Sequence, residues 1–181
     1  MSTTYEIDPA HSNLQFSVRH LMVTNVRGSF TGVKGSVIYD PQNPSAAVVE
    51  ATIDAATLHT GDEQRDTHVK SPDFLDVANY PTITFRSTKV QKVSDEEFKV
   101  TGNLTLHGVT KEVVLDISEV SPEAKDPWGK TRIGASARTK IKRSDYGLTW
   151  NAPLEAGGVL IGDDVKLDFE LEFVKAQSAA A

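Results

Sequence analysis

Apolar and polar residues alternate along most of the chain, and helical periodicity is scarce. Because successive side chains of a strand point to opposite faces, residues 13–20 place Leu14, Phe16, Val18 and His20 on one face. Residues 165–173 are apolar at every odd position and charged at every even one. The same pattern at 26–39, 47–53, 82–93, 98–106, 109–120 and 133–141 predicts roughly eight strands, each apolar on one face.

The clearest local prediction is a β-hairpin over residues 98–117. The dipeptide His107-Gly108 is typical of a two-residue type I′ turn. That loop pairs Gly102 with Val113 and Phe98 with Ile117, which places the apolar residues of both strands on one face. The predicted register is therefore self-consistent.

An antiparallel sheet with one buried face must close on itself or stack on a second sheet. The lengths of 26–39, 82–93, 109–120 and 165–175 favour a barrel, and Gly28, Gly32 and Gly35 are typical of bends at barrel corners. We therefore predict an all-β fold, an extended eight-stranded antiparallel barrel that forms one domain over residues 1–181. The small, polar residues 176–181 are predicted to fray.

Residues 57–76 depart from the alternation. Asp62 is a suitable N-cap for a short helix that ends before Ser71-Pro72, and this dipeptide can begin a second helical turn. The segment holds two of the five histidines, together with Arg65 and Lys70. In a barrel it would lie across or beside one mouth.

The composition excludes several classes of function. Nineteen Lys and Arg against 25 Asp and Glu give a net charge of −6, and no basic block favours nucleic acid. Without cysteine there are no disulfides, iron–sulfur clusters or thiolate metal sites. No apolar run is long enough to span a membrane, and the first residues lack the pattern of a secretory leader. These features predict a cytoplasmic protein, or a periplasmic one if a leader has been removed.

The candidate chemistry is sparse. No G-x-S-x-G, phosphate-binding glycine loop or H-E-x-x-H motif is present, and His59 and His68 match no standard metal-ligand spacing. We therefore predict no metal site. His20 is either a core histidine bonded to a neighbour or a polar group at the end of an apolar pocket. Lys111, opposite Leu104 in the hairpin, either faces an anion at a mouth or extends into solvent.

Small residues occur at several inward positions. Ala47, Ala51, Gly102, Ala135 and Ala137 contribute little volume. An eight-stranded barrel has just enough interior for side chains or for one small ligand. Aromatic residues alone are more typical of a core, but the small inward residues favour a ligand.

Ten segments resemble YceI-like proteins and follow the family's order over about residues 5–174. They are IDPAHS (7–12), FSVRHLM (16–22), VRGSF (26–30), TG (60–61), RDTHV (65–69), SPDF (71–74), YPTITF (80–85), GNLTLHGVTK (102–111), RSDYGL (143–148) and GDDV (162–165). Tyr5 stands where many members have Trp, and Thr57 where many have Ser. Many relatives are periplasmic, so the missing leader is a further departure.

This resemblance implies a lipocalin-like extended barrel, often dimeric, that encloses a long apolar tunnel. Such proteins bind polyisoprenoid chains, including isoprenoid quinones and polyprenyl diphosphates, and no enzymatic activity is generally attached to them. The chain is therefore predicted to bind, store or transport a long-chain isoprenoid lipid, as a homodimer and with no cofactor beyond that lipid. Two alternatives stay open, a lipid-modifying enzyme that uses His20 or His68 and a ligand-free structural or interaction barrel.

The predicted ligand contacts fall into two groups, and no residue is predicted to be catalytic. The tunnel residues are Leu14, Phe16, Val18, Phe30, Phe74, Phe85, Leu104, Leu115, Ala135, Ala137, Phe169 and Leu171. The residues predicted to contact the polar head group are His20, Arg65, His68 and Lys111.

Overall fold

The computed structural model describes residues 1–177, which form twelve β-strands, one α-helix and four short 3₁₀ helices. The strands are β1 (Thr3–Ile7), β2 (Asn13–His20), β3 (Thr24–Phe30), β4 (Val33–Tyr39), β5 (Val48–Asp54), β6 (Leu58–His59), β7 (Thr82–Lys92), β8 (Phe98–Leu106), β9 (Val109–Ser118), β10 (Ala124–Lys125), β11 (Thr131–Lys142) and β12 (Ile161–Lys175). The helix α1 is Glu63–Lys70, and the 3₁₀ helices are Pro9–His11, Pro44–Ala46, Ala55–Thr57 and Arg143–Tyr146.

Eight strands close into an antiparallel ring in the order β1, β4, β5, β7, β8, β9, β11 and β12. The ring closes because β12 pairs with β11 along nearly its whole length and with β1 at its last residues. This confirms the predicted eight-stranded antiparallel barrel with one short helix.

The barrel is extended by the β2–β3 hairpin. Strand β2 pairs with the first two thirds of β12, and β3 pairs with β2. The long strand predicted at 26–39 is therefore β3 and β4, interrupted near Gly32. The Gly32 N–H donates to Thr57 Oγ1 at 3.0 Å, and a Cβ at Gly32 would lie 2.7 Å from Thr57 Cγ2. The interruption thus brings two chain segments closer than a side chain would allow.

The β8–β9 hairpin has the predicted register. Gly102 pairs with Val113, and Phe98 pairs with Ile117. His107 and Gly108 have φ angles of +53° and +72°, as a type I′ turn requires. The two-residue turn therefore fixes the pairing of both strands.

The helix α1 begins as predicted, because an Asp62 carboxylate oxygen accepts the Arg65 backbone N–H at 2.8 Å. It ends at Lys70, and Ser71 follows as the C-cap. The predicted second helical turn is wrong, since the chain after Ser71 forms hydrogen-bonded turns and reaches a φ of +47° at Asp76. Among the described residues, no helix has the length and apolar composition needed to cross a membrane.

The interior of the barrel contains two clusters of buried residues and also free space. One cluster of buried residues lies near α1 and consists of Ala55, Leu58, Leu75, Ile83, Leu104, Leu106, Ile141, Tyr146 and Leu148. A second cluster consists of Val90, Phe98 and Val100. The inward residues Val165, Leu167, Phe169 and Leu171 of β12 are only partly buried. A solid core would bury them, so the interior contains free space.

The predicted frayed tail covers residues 176–181. The Ala176 N–H donates to the Thr4 carbonyl oxygen at 2.8 Å, so the pairing with β1 extends just beyond β12. Residues 178–181 lie outside the described residues, and the prediction stays open there.

Candidate functional site

The barrel encloses a cavity of about 1290 Å³. This exceeds the range of about 300–1,000 Å³ that is usual for small-molecule pockets. Its lining includes Ile161 at the start of β12 and Lys175 at the end, so it follows about 50 Å of strand. All eight ring strands and α1 contribute side chains, and most of these are aliphatic or aromatic. The cavity has the shape and the wall expected for a long apolar ligand.

All twelve residues predicted to form the tunnel line this cavity. They are Leu14, Phe16, Val18, Phe30, Phe74, Phe85, Leu104, Leu115, Ala135, Ala137, Phe169 and Leu171. Eleven of them lie on strands and one, Phe74, lies in the turns that follow α1. Strand parity, the alternation of inward and outward side chains along a strand, therefore located the wall of the cavity.

The small inward residues do not all leave room for a ligand. Ala135 is partly exposed to the cavity, whereas Ala137 is 2% exposed and already packed. At Gly102 an added Cβ would lie 2.5 Å from the Phe85 ring, so this glycine makes room for an aromatic side chain. The expectation of free space thus holds for Ala135, and is wrong for Gly102 and Ala137 because neighbouring groups already fill the space.

One end of the cavity lies beside α1 and is called the helix mouth. Its lining residues are Arg19, His20, Asp62, Gln64, Arg65, His68 and Trp150. Four of them, Arg19, Asp62, Gln64 and Arg65, are exposed. The cavity therefore reaches the surface at this end, and three of the four residues predicted to contact a head group meet there.

Arg65 is held beside the mouth by one neighbour. Its Nε donates to Thr60 Oγ1 at 2.8 Å, and its Nη2 donates to the Thr60 carbonyl oxygen at 2.9 Å. Asp66 instead accepts the Thr60 N–H and hydroxyl, and these hydrogen bonds lower its pKa. Within residues 1–177, Arg65 has no carboxylate partner, so its remaining N–H groups are available to an anion.

His68 belongs to an aromatic wall. Its ring packs edge-on against Phe74 and Trp150, with centroids 5.0 Å and 4.8 Å away, and its Nε2 lies 2.8 Å from an Asp73 carboxylate oxygen. His59, in contrast, pairs with Asp66 at 3.3 Å. The two histidines thus engage different carboxylates. His68 presents a polar edge next to flat apolar rings.

His20 and Lys111 have different surroundings, although parity pointed both of them inward. His20 is partly buried and lines the helix mouth at the end of β2. Lys111 pairs with Leu104 as predicted, but it is exposed and does not line the cavity. It lies close to the hairpin turn, where its long side chain reaches solvent, so the solvent-facing alternative describes it.

Sequence reasoning missed several residues of the helix mouth, including Arg19 and Trp150. Arg19 lies on the outward face of β2 by parity, but it sits at the strand end, where Nη2 donates to the Met22 carbonyl oxygen at 3.2 Å. Trp150 lies in an irregular segment without periodicity. It is positioned by the buried Arg143, which donates to the carbonyl oxygens of Leu148 at 2.6 Å and Trp150 at 2.9 Å. Burial lowers the pKa of Arg143.

The opposite end is called the far mouth. Its lining residues are Met1, Pro41, Asp95, Glu96, Ser121, Pro122, Glu123 and Lys175. Lys175 Nζ lies 2.9 Å from Glu123 Oε1, and the buried Tyr5 hydroxyl donates to the same carboxylate. Burial is the main cause of the raised pKa of Tyr5. The two cations of this group are therefore paired with carboxylates, Lys175 with Glu123 and the Met1 amino group with Asp40 at 3.1 Å.

Asp8, His11 and Glu172 come close enough together to hold a metal ion on the outer wall. However, Arg132 Nη1 donates to an Asp8 oxygen at 2.6 Å and to Glu172, and its Nε donates to Asp126 at 2.7 Å. These bonds lower the pKa of Asp8 to about 2. The Arg132 guanidinium supplies the positive charge that a metal ion would bring to these carboxylates. The cluster joins β11 and β12 to the segment after β1.

Comparisons with known proteins place the chain in a family. Residues 5–173 match the YceI-like domain. Protein YceI of Salmonella newport is 40% identical over 151 residues, which cover 82% of this chain and 78% of that protein. The crystal structure of a Campylobacter jejuni YceI protein is 35% identical with a TM-score of 0.73, and the match covers 88% of this chain and 90% of that one. A polyisoprenoid binding domain from Saccharophagus degradans, 19% identical with a TM-score of 0.69, shares the fold over 96% of this chain and 99% of its own. The chain belongs to the YceI-like family.

Proposed function

We propose that this protein binds a long-chain isoprenoid lipid in its cavity, and that it stores or carries the lipid without catalysing a reaction on it. The observation that carries the proposal is the apolar cavity of about 1290 Å³ that follows the full length of β12. The fold is shared with a protein described as a polyisoprenoid binding domain, which supports the same class of ligand.

The wall of the cavity supplies the affinity. Burying one five-carbon unit contributes roughly 3–4 kcal/mol at about 0.8 kcal/mol per CH₂. Eight units would give about 25–30 kcal/mol before costs, above the roughly 18–21 kcal/mol at which affinities saturate. Ordering the flexible chain offsets much of this gain. The polar residues are therefore needed for orientation and for the choice of head group.

We propose that the head group lies at the helix mouth. Arg65 and Arg19 offer N–H donors to a diphosphate, and charge-assisted hydrogen bonds are the strong ones. The rings of His68, Phe74 and Trp150 offer a flat wall to a quinone. The helix mouth therefore suits either head group. Lys111 does not contact the head group, because its side chain lies in solvent.

A lipid-modifying enzyme is the second candidate, and the contact between His68 and Asp73 at 2.8 Å is the observation that favours it. Such a pair can act as a general acid or base. However, both side chains are open to solvent, 41% and 52% exposed. Turnover of a prenyl diphosphate that is lost in His68→Ala would support this candidate over a carrier.

Mass spectrometry of the organic extract of the protein, purified from its native host, tests the proposed function. We expect a long-chain isoprenoid in near-stoichiometric amount, recovered only from the folded protein. An extract without any long-chain lipid, together with failure of the purified protein to bind an added isoprenoid quinone or polyprenyl diphosphate, would favour a ligand-free barrel.

The homodimer and the cytoplasmic location predicted from the sequence belong to the same proposal. The dimer is supported by the resemblance to the family, and sedimentation velocity of the purified protein tests it. Fractionation of native cells tests the location, with the periplasm as the other expected compartment.

A further inference from the structure

The turn between β2 and β3 has an unusual sequence for its backbone. The Val23 N–H donates to the His20 carbonyl oxygen at 3.0 Å, and the two central residues, Leu21 and Met22, have φ angles of +52° and +59°. Positive φ at both central residues favours Asn-Gly, because side chains with a Cβ are strained there. The β8–β9 turn of the same barrel places Gly108 at the second of these positions. The β2–β3 turn instead keeps two large apolar residues.

These side chains are exposed and belong to a larger apolar protrusion. Leu21, Met22 and Val23 are 43%, 60% and 75% exposed, and Val159 from a neighbouring turn is 41% exposed. Met22 Sδ packs over Gly158, and the Leu21 N–H donates to the Leu160 carbonyl oxygen at 2.8 Å. The two turns therefore form one unit, here called the apolar tip (Leu21, Met22, Val23 and Val159).

The apolar tip stands at the rim of the helix mouth. Arg19 and His20 precede it directly and Leu160 follows it, and all three line the cavity. The hydrogen bond from Arg19 to the Met22 carbonyl oxygen keeps a cation at the base of the tip. Apolar residues in front of a cation are the arrangement found where a protein meets the boundary between lipid head groups and acyl chains.

We propose that the apolar tip inserts into the surface of a phospholipid bilayer and so places the helix mouth against the membrane for entry and exit of the lipid. This inference rests on the proposed function. A long isoprenoid that crossed open water would expose apolar surface, and direct contact of the mouth with the bilayer avoids that cost. Because the chain carries a net charge of −6, insertion depends on the apolar side chains more than on attraction to anionic lipid.

Co-sedimentation with phosphatidylcholine vesicles tests the proposal, using the double variant Leu21→Asn with Met22→Gly. These are the residues that the backbone favours, so the melting temperature should stay or rise. Vesicle binding should fall at least about tenfold, because two apolar side chains are lost from the lipid contact. Val93→Ser is the matched control, since Val93 is 58% exposed in the turn at the opposite end and its loss should leave binding unchanged.

A second pair of assays separates this inference from the proposed function. Loading with a detergent-solubilised isoprenoid quinone measures the cavity, and transfer of the same quinone from vesicles measures docking. We expect the double variant to load normally from detergent and to accept quinone from vesicles about tenfold more slowly. If the wild-type protein loads nothing from detergent but still binds vesicles through the tip, the proposed function fails and the docking surface stands.

Two results would overturn the docking surface. The first is equal vesicle binding by the wild-type protein and the double variant, or none by either. The second is a dimer that dissociates in the double variant while vesicle binding is unchanged, which would assign the apolar tip to contact between two copies of the chain.

Discussion

The two mouths of the cavity differ in how their charged groups are bonded. At the far mouth, Lys175 bonds to Glu123 and the Met1 amino group bonds to Asp40, so each lining cation has a carboxylate partner. At the helix mouth, Arg65 and Arg19 donate to neutral oxygens, and within residues 1–177 neither has a carboxylate partner. The cations of the far mouth are thus paired within the protein, whereas those of the helix mouth can still pair with an anionic ligand.

Because of this difference, the two ends of the cavity are not equivalent for a bound ligand. An apolar wall binds the chain of a lipid in either orientation, because the hydrophobic effect is non-directional. Under the proposed function, unpaired cations at the helix mouth and paired cations at the far mouth favour the ligand orientation that places an anionic or polar head group at the helix mouth. We therefore expect the far mouth to receive the tail.

The largest expected effect is on stability, at the ion cluster below the far mouth. In Arg132→Met, three carboxylates on Asp8, Asp126 and Glu172 lose their common partner. We expect the free energy of unfolding in urea to fall, and by more than for an exposed ion pair, because three partly buried carboxylates are left without their cation.

Arg86 provides the control for this variant. Its pair with Glu50 lies at 2.6 Å on the outer wall, and the two side chains are 74% and 47% exposed. Arg86→Met should therefore cost less than about 1 kcal/mol. Equal losses in the two variants would show that the cluster is no more than a surface ion pair.

The next effect concerns the passage between the two mouths. Ala135→Phe places a ring in free space, so we expect bound lipid to disappear from the purified protein with little change in melting temperature. Ala137→Phe enters a packed site, and overpacking typically costs about 1–3 kcal/mol. Thermal melts and mass spectrometry of the same two preparations measure both quantities. Full lipid content in Ala135→Phe would contradict a ligand-filled cavity at this position.

A smaller effect tests the head group. Arg65→Ala should weaken binding of a polyprenyl diphosphate about tenfold or more and leave a neutral isoprenoid quinone unchanged, since a hydrogen bond to a charged group contributes about 1.5–3 kcal/mol. Lys175→Ala is the matched control at the far mouth and should change neither affinity. Titration of both ligands into each variant measures the difference. Equal losses for both ligands in Arg65→Ala would mean that Arg65 acts through the structure of the mouth.

The smallest effect is the pH dependence of stability. Arg132 lowers the pKa of Asp8 from 3.8 to about 2 in the folded protein, so the ionised form stabilises the fold. This contribution is complete above pH 3.8 and is lost as the pH falls through that value towards 2. Urea unfolding between pH 5 and pH 2 should therefore show a shallower decline in Asp8→Asn than in the wild-type protein. Parallel curves would exclude Asp8 as the group responsible.

The sequence predicted the wall of the cavity because strand parity is a local property. The β8–β9 register followed from a two-residue turn. Once the register is fixed, alternation along each strand decides which side chains point inward. Parity also failed at strand ends. Lys111 and Arg19 lie next to turns, where a long side chain can leave the face that its Cα indicates.

The helix mouth could be predicted only in part, because tertiary bonds assemble it. The N-cap residue Asp62 allowed α1 to be predicted, and the helix contains Arg65 and His68. Trp150 carries no such signal, since its place depends on hydrogen bonds from Arg143 to carbonyl oxygens of an irregular segment. The short strand β1 was not predicted either, because its five residues depend on pairing with β4 and with the distant end of β12.

The two tryptophans of the chain report separately on the two mouths. Trp150 lines the helix mouth, and Trp128 is 81% exposed in the turn between β10 and β11, at the other end of the barrel. Quenching of the Trp emission by a bound long-chain isoprenoid quinone can be measured in Trp128→Phe and Trp150→Phe, each of which retains one reporter. We predict saturable quenching of Trp150 and none of Trp128. Saturable binding that quenches Trp128 and leaves Trp150 unchanged would contradict a lipid bound with its head group at the helix mouth.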